Sequence, residues 1–247
     1  MIKAKSAAYA IIDLDEWRMQ FKEEVKDMKP NRIHCFFEQT NTFRDVAASM
    51  GYEAESYDIE GNPTHKIDLF KAIEEGDGNE FLSKISKDDL VLAFFPCTYF
   101  QVWTEVNIIG KNKGMACWSE WQRIEYSRER ERERSNYYQT FCKLALWSIE
   151  KGVPLIIENP YQKCSYLVRC FPPLPKVVID DRTEYGDSFK KPTAFWFLNC
   201  EPNMFVPKSR KKKPRLVNET KHGIERSVIS KEFAIRFLEG FVGLERK

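Results

Sequence analysis

Histidine is scarce in this chain: there are three, and none stands beside a pair of cysteines. The cysteines are scattered at positions 35, 97, 117, 142, 164, 170 and 200, and no two have the two-residue gap of a zinc pair. That distribution argues against a metal centre. An odd, dispersed set of thiols also speaks for reduced cysteines, hence a cytoplasmic protein, and against a disulfide framework. No apolar run reaches the ~18 residues of a membrane span, so no membrane partner is expected. The short apolar patch from Ala7 to Ile12 is followed at once by acids and has no small-residue cleavage signal, so it does not read as a secretory leader. Charge of one sign is lacking too. A net charge of +2 does not by itself announce a nucleic-acid partner.

What is present fits one α/β domain over residues 1–247. The length, with 43% hydrophobic and 31% charged residues, suits a globular protein with a sizeable core. The central signal is Leu90-Val91-Leu92-Ala93-Phe94-Phe95-Pro96-Cys97. Six apolar residues in a row have the length of a strand buried on both faces, as in parallel sheets. Proline cannot donate to a ladder, so Pro96 should end the strand and Cys97 should open the loop beyond it. In open α/β sheets that carboxyl edge is where ligands bind. A free cysteine more often packs than reacts, but one delivered to this edge is placed to be a nucleophile.

Two other stretches repeat the pattern. Ile33 to Phe37 reads as a strand, Glu38 to Thr42 as a turn, Phe43 to Met50 as a helix, and Tyr52 to Ile59 as a second strand with Asp58 at its end. Strand, turn, helix, strand and acid is the order of a nucleotide-type site, in which the turn holds the polar part of the ligand and the acid takes ribose hydroxyls. No glycine lies between Glu38 and Asn41, so Asn41, which tolerates a left-handed conformation, is the residue expected to turn the chain. Asp68 is expected at the same edge. Later, Val153 to Ile157 forms another apolar strand, followed directly by Glu158-Asn159-Pro160. A long helix from Ser119 to Lys151 connects it to the Cys97 strand, and a right-handed crossover would bring both strand ends to one edge.

The remaining segments are less specific. Residues 1–30 read as a helical lead-in capped by Asp13 or Asp15 and stopped by Pro30. Residues 101–118 fit either a loop over the site or an ordinary connection. Arg128 to Arg134 alternates arginine with glutamate and places opposite signs at i,i+3, the pattern of a solvated helix face. Lys176 to Ile179 and the stretch through Phe197 read as strands. Within residues 200–225, Lys208, Arg210, Lys211, Lys212 and Lys213 make a basic loop suited to phosphates. Ser230 should cap a closing helix with Phe233, Phe237 and Phe241 on its buried side.

With Cys97 and Glu158 placed, the sequence resembles DNA cytosine-5 methyltransferases of the small phage and bacterial type. The likeness rests on Phe37 to Gly51 with Asp58, on Pro96-Cys97, on Glu158-Asn159-Pro160 and on Arg226-Ser227 ahead of the last helix. Lys191-Pro192-Thr193 with Trp196 is similar to a stretch found in small members. The resemblance implies a Rossmann-like S-adenosylmethionine-dependent methyltransferase fold, mostly parallel with helices on both faces, in a bacterial cell or phage-infected host. It implies DNA, duplex or single-stranded, as the partner. Cys97 would be the nucleophile, Glu158 its acid partner and Asn159 a spacer. Phe37, Glu38, Thr40, Asn41, Asp58, Ile59, Asp68 and Pro96 would border S-adenosylmethionine. Arg182, Lys191 and Thr193, with the basic loop from Lys208 to Lys213, would meet the nucleic acid.

The chain departs from that family at Gln39 and Asn41, where glycines are expected. It also has Thr98-Tyr99 where a glutamine should follow the cysteine, and it lacks a paired-arginine strand, for which Arg182 or Lys191 would stand in. These departures keep two other readings open. One is a catalytically degenerate module that binds nucleic acid or protein. The other is an amino-group methyltransferase, since Asn159-Pro160-Tyr161 partly matches the motif of that class.

Overall fold

The computed structural model describes residues 28–101, 113–204, 206–208 and 228–247. Residues 1–27 of the expected helical lead-in, residues 102–112 of the expected loop or connection, the lysines and arginines from 210 to 215, and the Arg226-Ser227 pair lie outside the described residues.

The apolar runs pair into a seven-stranded sheet: β1 (Arg32–Phe36), β2 (Glu53–Asp58), β3 (His65–Lys66), β4 (Leu90–Ala93), β5 (Leu155–Pro160), β6 (Val177–Ile179) and β7 (Thr193–Leu198). The spatial order is β3-β2-β1-β4-β5-β7-β6. β1 to β5 are mutually parallel, while β7 runs antiparallel to both of its neighbours. The chain goes outward from β1 to β2 and β3, then returns to build β4 on the other side. The reversal between β1 and β4 opens a crevice at their carboxyl ends.

Side chains alternate across the sheet and feed two cores. On one face, Phe36, Val91, Ala93, Leu155, Ile157 and Trp196 pack with α2 (Leu69–Glu75), the second half of α3 (Glu120–Lys151) and Leu167 of α4 (Tyr166–Cys170). On the other, Ile33, Cys35, Leu90, Leu92, Ile156, Phe195 and Phe197 pack under α1 (Thr42–Ser49) and α5 (Lys231–Arg236). Phenylalanines seam this second face, with ring centroids 4.2 Å apart for Phe195 and Phe237 and 4.6 Å for Phe43 and Phe94. Each such ring buried contributes about 1.5–3 kcal/mol. The β-branched and leucine content of β4, all four residues buried, explains why it runs central and continuous.

Local signals place the helices. Ser119 and Gln122 form a reciprocal capping box at the start of α3, and Gly152 closes it in the left-handed conformation at φ 66°. Ser230 caps α5 by accepting from the Phe233 amide at 3.2 Å, and the chain continues through a π turn at Phe237–Phe241. Two boundaries differ from the sequence reading. β4 stops at Ala93, three residues before Pro96, although the Phe94 amide still donates to Phe36 O at 3.0 Å. β5 runs on through Glu158-Asn159-Pro160, because β7 supplies antiparallel partners at Phe195, Ala194 and Thr193. Glu158 therefore sits inside the ladder and not in a loop. Among the described residues, no helix is long and apolar enough to cross a membrane.

Candidate active site

A cavity of about 410 Å³ occupies the crevice, and its wall includes Cys97, Glu158, Arg182 and Lys191 together with the β1 turn, Asp58 and Asp68. Of the residues predicted for catalysis and for the cofactor turn, Cys97, Glu158, Phe37, Glu38 and Thr40 share this opening at the switch point of the sheet, whereas Asn41 and Asn159 do not line it.

The β1 turn works without glycine because two other residues take its conformation. Phe37 and Asn41 lie at φ 58° and 56°, the left-handed region. The Asn41 side chain donates to Asn62 O at 2.6 Å and accepts from Ser56 Oγ at 2.6 Å, so it clamps the turn to the loop after β2. That loop approaches closely through Gly61, where a Cβ would lie 2.7 Å from Gln39 O. Glu38 is 4% exposed and accepts from the amides of Phe43 at 2.5 Å and Arg44 at 3.2 Å. It satisfies the first turn of α1 from outside the helix. Burial outweighs those amides and raises the Glu38 pKa. Thr40 shares a hydroxyl contact with Thr42 at 3.1 Å.

At the end of β2, Asp58 accepts from the Glu60 amide at 2.8 Å, and burial raises its pKa. Ile59 beside it is 63% exposed and lines the cavity. Asp68 also lines it, but one carboxylate oxygen caps α2 by accepting from Lys71 N at 3.1 Å. Phe37, Phe70, Phe94, Phe95 and Pro96 complete an apolar wall.

Cys97 follows in a tight turn in which the Phe100 amide donates to Cys97 O at 3.0 Å. The same turn brings Gln101 back, and its Nε2 donates to Cys97 Sγ at 2.7 Å. Burial raises the thiol pKa, the positive charge of Lys191 opposes that rise, and the negative charge of Glu158 adds to it. The sulfur therefore feels both partners.

Alternation along β5 puts Glu158 on the α1/α5 side, after Ile156, and Asn159 on the opposite side, after Ile157. Glu158 is 8% exposed, and its Oε1 has no hydrogen-bond partner among the described residues. Asn159 is buried and donates through Nδ2 to Phe95 O at 2.9 Å, tying β5 to the segment that carries Cys97. It positions the two groups and does not face a ligand.

Arg182 is fully buried, with Nε 2.7 Å from Asp187 Oδ2 and its guanidinium over the Phe233 ring at 5.5 Å. Its Nη1 and Nη2 have no hydrogen-bond partner among the described residues. Thr193 differs from the expectation of a nucleic-acid contact. It is fully buried, and its hydroxyl donates to Lys191 O at 3.1 Å, so it supports the lysine turn. Lys208 is exposed and paired with Glu184 at 2.8 Å. Arg210, Lys211, Lys212 and Lys213 lie outside the described residues.

Two participants escaped the sequence reading. Gln101 was missed because a glutamine was expected at Thr98-Tyr99, whereas the turn returns the fourth residue to the sulfur. Phe37 was expected at the cofactor, but its positive φ gave no signal, since bulky residues rarely adopt one. Asp187 became meaningful only through Arg182.

No family model matches the chain, and no curated protein matches it. Geometry carries the functional reading.

Proposed function

We propose that this protein methylates carbon 5 of cytosine in DNA, on a methyltransferase version of its mostly parallel α/β fold. The observation that carries the reading is the convergence of a thiol, a buried carboxylate with one oxygen unpartnered among the described residues, and two cationic side chains on one cavity at the switch point of the sheet.

The residues fit S-adenosylmethionine better than a dinucleotide. In a dinucleotide site the first helix turn after β1 receives phosphate. Here Glu38 already fills that place with a carboxylate, which would repel phosphate and favour a cationic ligand. Asp58 would take ribose hydroxyls, and exposed Ile59 with Phe37, Phe70 and Phe94 would border the base. Bound S-adenosylmethionine would supply an electrophilic methyl group on a cationic sulfur.

The chain's own residues then account for activation. Cytosine carbon 5 is a poor nucleophile until a group adds at carbon 6. Cys97 supplies its thiolate for that bond, with Lys191 offsetting part of the cost of ionising a buried thiol. Glu158 protonates or hydrogen-bonds ring N3 and absorbs the electron pair released by the addition. Carbon 5 becomes the nucleophile that takes the methyl group, and loss of its proton expels Cys97 and restores the ring. Arg182 has its two terminal NH2 groups to offer the base carbonyl. Asn159 fixes the spacing of sulfur and carboxylate.

The same amide weighs against amino-group methylation: Asn159 is committed to Phe95 O, on the side of the strand away from Glu158. The degenerate-module reading draws on the missing glycines, and the left-handed Phe37 and Asn41 answer that objection. Methyl incorporation from labelled S-adenosylmethionine into cytosine-containing DNA tests the proposal. Wild type should label carbon 5 and Cys97→Ser should not, with unchanged thermal unfolding. Equal labelling by both would overturn it.

A further inference from the structure

We infer that the substrate strand is single-stranded DNA, and that its bases stack along a track of aromatic and arginine side chains leading out of the cavity. This rests on the methyltransferase reading of the cavity and names the form of its substrate.

The track begins at Tyr137, which lines the cavity, and Tyr99 packs on it at 4.5 Å between ring centroids. Arg130 lies over Tyr99 at 5.9 Å and over Tyr126 at 5.1 Å, and Tyr126 meets Trp118 edge-on at 5.4 Å. All five are half-buried. Tyr126, Arg130 and Tyr137 follow one face of α3 over roughly 16 Å at ~1.5 Å per residue. At ~3.4 Å or more per nucleotide, that length takes about four bases.

Tyr99 and Tyr137 pack at the edge of the core, Tyr137 meeting Phe70 at 4.6 Å, but farther out Tyr126 and Trp118 join neither core among the described residues. From Glu120 to Gln139 not one residue is buried, and the first buried side chain of α3 is Thr140. Its arginines are not a phosphate track either. Arg128, Arg130, Arg132 and Arg134 each pair with a glutamate three positions away. With cations neutralised and aromatic rings in series, the surface suits base stacking, which tolerates any sequence, more than the closely spaced phosphates of a duplex. A strand already unpaired also delivers a cytosine to the cavity without the cost of flipping it out.

The full-length protein, carrying Cys97→Ser and without cofactor, should be titrated with a fluorescent cytosine-containing DNA 12-mer, single-stranded and as a duplex, at about 50 and 200 mM salt. The single strand should bind at least tenfold tighter. Tyr126→Ala and Trp118→Ala should each weaken it about tenfold by the same ratio at both salts, and Tyr126→Phe should restore it, with melting temperatures unchanged. Duplex binding as tight as single-strand binding, or no loss in either alanine variant, would overturn the inference. Tighter binding of the same sequence as RNA would overturn the assignment to DNA. Stacking-dependent binding without methyl transfer by wild type would sink the chemistry and leave the track standing. Methylation of duplex cytosine by a fully active Tyr126→Ala variant would do the reverse.

Discussion

Glu38 and Glu158 are both nearly buried and both stand at carboxyl ends of strands in the same crevice, with β4 between them. Glu38 accepts from two backbone amides and closes the first turn of α1. Glu158 has no partner for Oε1 among the described residues, and it faces a cavity that also holds a thiol, a lysine and a fully buried arginine. Burying a polar atom without a hydrogen bond costs about 1–3 kcal/mol. The first glutamate offsets its burial within the protein, and the second leaves that cost to be offset by a ligand. Carboxylates of equal burial can therefore belong to the fold or to the chemistry, and their hydrogen bonds tell which.

That contrast can be broken most decisively at Glu158. Glu158→Gln keeps the volume and removes the acid, so methyl transfer should fall by about 10²–10⁴ while the urea unfolding midpoint stays put. Normal activity in this variant would erase the distinction. Glu38→Ala should do the opposite and lower stability by about 2–3 kcal/mol, because two amides of α1 lose their acceptor. Urea denaturation would show it, and an unchanged midpoint would mean that the capping carries little weight.

Iodoacetamide alkylation of Cys97 sharpens the electrostatic side of the comparison. Burial holds the thiol pKa above its ordinary value, so the wild-type rate should still climb above pH 9. Lys191 favours the thiolate and Glu158 disfavours it. At fixed pH, Lys191→Met should slow labelling severalfold and Glu158→Gln should speed it severalfold, even as the latter abolishes turnover. The reverse order would place these charges away from the sulfur.

The smallest effect concerns His34, a buried group outside the cavity. Its Nδ1 lies 3.1 Å from Tyr57 Oη and its Nε2 3.9 Å from Asp89 Oδ2. Burial lowers its pKa in spite of Asp89 and Glu55. The unfolded chain then binds the proton more readily, so stability is full above the unfolded value of ~6.5 and falls as pH drops below it. His34→Gln should flatten that decline between pH 7 and 5 in unfolding titrations. An unchanged slope would assign the acid sensitivity to other groups.

Much of this was legible before any coordinates. Leu90 to Ala93 announced a central strand because every residue is apolar, and the pattern from Ser119 to Lys151 with Gly152 after it marked the extent of α3. The sequence reading also anticipated that Asn41 would turn the chain. Other features depended on distant partners. Glu158 reads as the end of a strand until β7 returns beside it and extends the ladder, and Thr193 reads as a contact residue until its full burial is seen. Arg182 was singled out as a stand-in for missing arginines, but nothing in the sequence announced its full burial. Its ion pair with Asp187 closes within the β6–β7 connection, and its place over Phe233 arises only when α5 packs beside that connection.

By itself the sequence determined the alternation of strands and helices, the ends of the long helix, and which polar residues follow apolar runs, because propensity, capping and period act over a few residues. Only the tertiary structure decided which polar residues were spent on the backbone and which remained for a ligand. Hydrogen-bond satisfaction of a buried group is set by whatever the rest of the chain brings within about 3 Å, and no local pattern records that.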